Sequence, residues 1–250
     1  MQAYFTLTRR ELGGFFVSMT GYIIIAAAVF LMGLSLVDML VLLDREPTVT
    51  PLMELYYSTA YFWLIILLVS PVITMRLYAL EKYSGTFETL MTAPVSDLQV
   101  VLAKFTAAMI FFMLMWLPSI GSIFVLRYYL KDVGVFDPGL LGSTFLGIFL
   151  IGCLFMSLGC FASSLTRNQM IAAMLSFSFG FTLFLLSYLS GHLPSIKGWV
   201  AEVFSYVALF DQMNDFARGM VDTRHIVFYV TLTFWFLFLT LRVVEARRWK

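Results

Sequence analysis

The sequence predicts an all-α polytopic membrane protein with six transmembrane helices. The first observation behind this is composition: 61% of residues are hydrophobic and 12% charged, with a mean hydropathy of +0.91, whereas soluble domains carry about 25% charged residues. The second is that six apolar runs, about 21–43, 55–76, 98–126, 139–165, 169–190 and 226–243, come close to the roughly 20 residues that a helix needs to cross a bilayer. The third is that these runs lack the in–out alternation of barrel strands, and a lone segment in lipid must satisfy its own backbone hydrogen bonds. The 250 residues therefore form a single transmembrane domain, with no room for a large soluble one.

Residues 1–20 read as an interfacial elbow helix. Phe5, Leu12, Phe16 and Met19 recur at near-helical spacing, and Arg9 and Arg10 can face lipid headgroups. The first apolar run, from near Gly21, is about 23 residues long, too long for a signal-peptide core. Spans one and two lead to the polar stretch "EKYSGTFETLMTAPVSD", residues 81–97, within a loop taken as 77–97. Gly85 and Pro94 bound a helix of less than two turns, on which Phe87, Leu90 and Met91 form one apolar patch ringed by Glu81, Lys82 and Glu88. So short a helix persists only when docked. Lipid headgroups and a groove on a cytoplasmic partner both answer that need.

Ser96-Asp97-Leu98-Gln99 matches the capping box and starts span three at Ser96. Span four carries a face of small residues, Cys153, Ser157, Cys160 and Ser164, with Gly152, Gly159 and Ser163 alongside. Gly159 and Ser163 have the spacing that lets helices approach closely, and internal packing is expected rather than a substrate path. The segment 191–225 reads as two short amphipathic helices on the outer side. One presents Ile196, Val200, Val203 and Val207. The other presents Phe210, Met213, Ala217 and Met220, opposed by Asp211, Asn214, Asp215 and Arg218 and stopped at Gly219.

Six spans put both ends on one side. Ten Lys and Arg residues fall on the side of the ends and of the 77–97 loop, against six on the other, which predicts cytoplasmic termini. A net charge of +1 gives no ground for nucleic-acid binding. The two cysteines, Cys153 and Cys160, share one apolar run and form no disulfide framework or zinc spacing. Spans two and four to six hold no ionisable residue away from their ends, so ion-coupled transport and intramembrane catalysis are disfavoured. Asp38 and Lys104, near span ends, are expected to reach the interface, Lys104 by snorkelling. No phosphate-binding G-x-x-x-x-G-K-[ST] loop occurs. Catalysis by this chain is not expected, and any energy source lies on another chain.

Four stretches in order carry a family resemblance: "RRELGGFF" with "GYIIIAAAVFLMGL", "PVITMRLYALEKYSGTFETLMTAPVSDLQVVLAKF", "FASSLTRNQ" and "LFDQMNDFARGMVDTRHIVFY". Nearly end to end, the chain resembles an ABC-2 type permease of the gliding-motility-associated, GldF-like branch. The resemblance implies an exporter subunit in the bacterial inner membrane that pairs with a second permease copy, identical or not. Each copy would dock a cytoplasmic ATP-binding subunit holding ATP and magnesium, with no cofactor on this chain. The coupling element would be Glu81, Lys82, Gly85, Thr86, Phe87, Glu88, Leu90, Met91, Pro94 and Asp97, and the elbow helix with Phe5, Arg9, Arg10, Leu12 and Phe16 would share that surface. Membrane lipid and an extracytoplasmic auxiliary protein complete the expected partners. Tyr83-Ser84 depart from the more basic pair expected there. The rival reading is a membrane scaffold or mechanical coupler that recruits an ATPase without transport.

Overall fold

The computed structural model describes residues 2–45, 59–88, 95–130, 138–192 and 206–248. Among them, eight helices follow in order: α1 (Gln2–Val17), α2 (Met19–Arg45), α3 (Ala60–Ser84), α4 (Asp97–Leu130), α5 (Pro138–Leu165), α6 (Gln169–His192), α7 (Leu209–Ala217) and α8 (Thr223–Arg248). Six of them, all but α1 and α7, are long and apolar enough to cross a membrane. Each of the six apolar runs of the sequence thus contains one of these helices, and the protein is an integral membrane protein whose described residues are all-α in architecture.

The helix ends follow local chemistry. Ser96 and Gln99 exchange reciprocal side-chain-to-backbone hydrogen bonds at 3.3 Å, closing the capping box that starts α4. Asn168 accepts from the Met170 N–H at 2.9 Å to start α6, and Asp222 accepts from the Arg224 N–H at 2.9 Å to start α8. Gly85 caps α3 in the left-handed conformation (φ 76°), which a residue without Cβ adopts freely.

The α3–α4 connection is shorter than the 77–97 loop read from the sequence. Residues 77–84 continue α3, because their charged groups find partners on neighbouring helices instead of water. Within that connection, residues 89–94 lie outside the described residues, so the Leu90, Met91 and Pro94 part of the expected short helix does too. The first outer amphipathic helix, with Ile196, Val200 and Val203, is likewise outside them.

α5 is the hub, packing against α3, α4, α6, α7 and α8. In its most apolar stretch 72% of residues are buried, against 22% in α6 and α8, so α5 is central and those two helices border the bundle. Small residues make this possible. A Cβ at Gly159 would overlap the Thr74 side chain of α3, and one turn later Ser163 donates to the Met75 carbonyl at 3.1 Å. Ser163 also accepts from the Tyr78 and Ala79 N–H groups at 3.2 Å. The Gly159–Ser163 spacing is therefore an α3–α5 packing seam.

α7 docks on the bundle with Met213 and Ala217 of the face read from the sequence buried and Phe210 half-buried, and with Leu209 and Phe216 buried beside them. Met220 lies beyond the helix and is exposed. The reason is a specific seat: Phe216 packs against Gly147, its carbonyl accepts from Ser143 at 2.7 Å, and Phe210 meets Trp63 at 4.3 Å between ring centres. His225 and Asp215, 3.1 Å apart, tie α8 to α7.

Candidate functional site

At the end of the bundle shared by α1 and the α3–α4 connection, three helices bring four charges together. α1 runs along α4, burying Thr8 and Phe15, with Phe15 stacked on Phe111 at 4.7 Å. That packing places Arg10 and Glu11 against the last turns of α3. Glu81 contacts Arg10 at 2.8 Å and Lys104 of α4 at 2.9 Å. Glu11 contacts Arg10 and Lys104, each at 3.2 Å.

Two cations and two carboxylates thus alternate around a small ring. The Lys104 side chain is 2% exposed and Glu81 12%, while Arg10 at 57% closes the ring toward solvent. Lys104 therefore does not snorkel. It turns inward, where an unpaired ammonium would be costly and two carboxylates compensate it. The ammonium also lies 5.4 Å from the centre of the Tyr78 ring.

The neighbouring residue is anchored separately. Lys82 is buried, donates to the Ser164 carbonyl at the end of α5, and sits 5.3 Å from the centre of the Phe87 ring. Phe87 is 6% exposed. The aromatic part of the expected outward patch accordingly folds back onto the chain, while Thr86 and Glu88 remain exposed. The chemical logic is simple: Phe87 buries an apolar ring against an ammonium already held in place.

Of the other residues read from the sequence as coupling or elbow positions, Gly85 is the α3 cap and Asp97 opens α4. Arg9 and Phe5 are exposed, Phe16 is 37% exposed, and Leu12 is half-buried on the core. Residues 2–17 are helical, but the buried face of α1 runs through Thr8, Glu11 and Phe15, one position before the Phe5–Leu12–Phe16 face. Sequence reasoning missed Glu11 and the ring it completes. The available signal was a lysine two turns inside an apolar span, with Glu11 and Glu81 as acids at the same end.

The ring ties α1, α3 and α4 together, and Lys82 adds α5. Among the described residues, no group of three or more His, Cys, Asp or Glu is gathered to hold a metal. No curated protein matches the chain. Residues 44–241, more than three quarters of its length, match the family model described as ABC-2 family transporter protein. With six apolar helices and this match across four of them and most of a fifth, the chain belongs to the ABC-2 transporter family.

Proposed function

We propose that the chain is the permease subunit of an ATP-binding-cassette exporter, acting as a dimer and driven by separate cytoplasmic ATPase subunits that carry ATP and magnesium. In this reading it hydrolyses no ATP itself. It sits in a bacterial inner membrane with both termini and the α3–α4 connection in the cytoplasm, as the Lys and Arg distribution favours. The GldF-like branch rests on the order of the four sequence stretches.

The single observation that carries the reading is the double anchorage of the α3–α4 stem. Adjacent residues are fixed to different helices, Glu81 to α1 and α4, Lys82 to α5. A push on the connection is therefore delivered to four helices at once rather than absorbed by a slack loop. The face left for an ATPase is the exposed rim of Tyr83, Ser84, Thr86 and Glu88, with Phe87 pinning it from inside.

The test is co-purification with an ATP-binding-cassette subunit. The wild-type chain is expected to retain it, and Glu88→Lys to lower the recovered amount about fivefold, the effect of reversing one rim charge. Absence of any ATP-binding protein, together with an indifferent Glu88→Lys, contradicts the proposal.

A further inference from the structure

Beside the ionic ring lies a cleft of about 470 Å³ between α1 and the second half of α3. Its walls mix Phe15, Leu77 and Leu80 with Arg10, Arg76 and Glu81. Three features of these walls are unused by the coupling reading.

The first is Arg76. Its Nη1 donates to the Ser18 hydroxyl at 3.1 Å and the Thr20 hydroxyl at 2.5 Å, while the face of Phe15 lies 5.6 Å away. A guanidinium has five N–H donors, so three remain once these two are used. The second is Glu81. The residue is 9% exposed, yet its Oε2 accepts no hydrogen bond among the described residues. A buried carboxylate oxygen without a donor is costly and calls for one. The third is charge. Arg10 and Arg76 on the walls, with Lys104 buried behind them against the same two acids, stand opposite Glu11 and Glu81, three cations against two carboxylates among the described residues.

Position narrows the ligand. Ser18 and Thr20 flank the break between α1 and α2, where the apolar stretch of α2 begins at Met19. Around it Val17 is 89% exposed and Met19 80%. The cleft thus opens where a helix enters hydrocarbon, at headgroup level.

We propose that this cleft binds the headgroup of a bilayer phospholipid whose phosphodiester bears a hydroxyl or ammonium donor. The phosphate oxygens take the spare N–H groups of Arg76 and balance the excess charge, the donor reaches Glu81 Oε2, and the acyl chains leave past Val17 and Met19. A headgroup with phosphate but no donor satisfies only half of the site.

The test uses native mass spectrometry of the detergent-purified protein titrated separately with phosphatidylglycerol, phosphatidylethanolamine and phosphatidylcholine, the last having no headgroup donor. Retention of the first two is expected to exceed that of phosphatidylcholine about tenfold, the effect of one hydrogen bond to a charged group. Arg76→Gln is expected to lose that preference. Because Arg76→Gln could also disturb the α1–α2 break, a second variant is aimed at plugging the cleft: a Cβ at Gly14, on its wall, meets no atom within 4 Å, so a side chain can start there, and Gly14→Trp supplies a bulky one. That variant is expected to abolish selective retention while leaving thermal unfolding unchanged. Equal retention of all three lipids, or selectivity that survives Gly14→Trp, overturns the proposal, and both are read on lipid retention, separately from the recovery of an ATP-binding subunit.

Discussion

At the scale of single residues, the fate of Lys104 shows which effect wins. Surface exposure of an ammonium costs nothing, yet this one is 1% exposed because Glu11 and Glu81 receive it. Breaking a buried pair by removing one partner typically costs about 3–5 kcal/mol, since it strands the other charge. Lys104→Met is therefore expected to lower stability by about 3 kcal/mol, measured by thermal unfolding in detergent. Adding Glu81→Leu should restore more than half of that loss, because the stranded carboxylate is gone. Arg10→Gln should cost less than about 1 kcal/mol, its guanidinium being more than half exposed. A Lys104→Met cost as small as that of Arg10→Gln would mean the ring is not buried in solution. The lysine inside an apolar span was the one signal along the chain; the pairing was not, because Arg10 and Glu81 are 71 residues apart and the packing of α1 on α4 joins them.

At the scale of elements, the legible features were those encoded locally. Apolar run length gave the spans, the Ser96–Gln99 box gave the start of α4, and Gly85 gave the end of a helix. The buried face of α1 differs by about one position from the sequence reading, since this helix has apolar residues on adjacent flanks, while α7 adds Leu209 and Phe216 to the Met213 and Ala217 that were read. Phe111 chose Phe15 over Phe16 as the inward ring, and Gly147 made room for Phe216. Close approach at Gly159 makes a sharper prediction. Gly159→Leu should destabilise the bundle by about 1–3 kcal/mol or more through overpacking against Thr74. Gly33→Ala, where a Cβ meets no atom within 4 Å, should be neutral or slightly stabilising. Unfolding midpoints of the two variants, compared side by side, check both; equal effects would contradict the α3–α5 seam. Ser96→Ala should cost about 1 kcal/mol through loss of the cap.

At the scale of the whole molecule, α5 holds the centre and α3 carries the connection through which a partner would act. The stretch proposed for coupling stands out in the sequence as a charged interruption between two spans. Its inner half does not, because burial of Phe87, Glu81 and Lys82 depends on residues from α1, α4 and α5. The resulting picture is a stem clamped from two sides with a thin polar rim outside. Its central claim is that this rim faces the cytoplasm. The most direct measurement labels a Glu88→Cys variant, with Cys153 and Cys160 replaced by Ser and Ala, using a membrane-impermeant maleimide. Labelling in inverted vesicles and protection in intact spheroplasts is the predicted result. Labelling in intact spheroplasts would place the rim on the outer face and contradict the account.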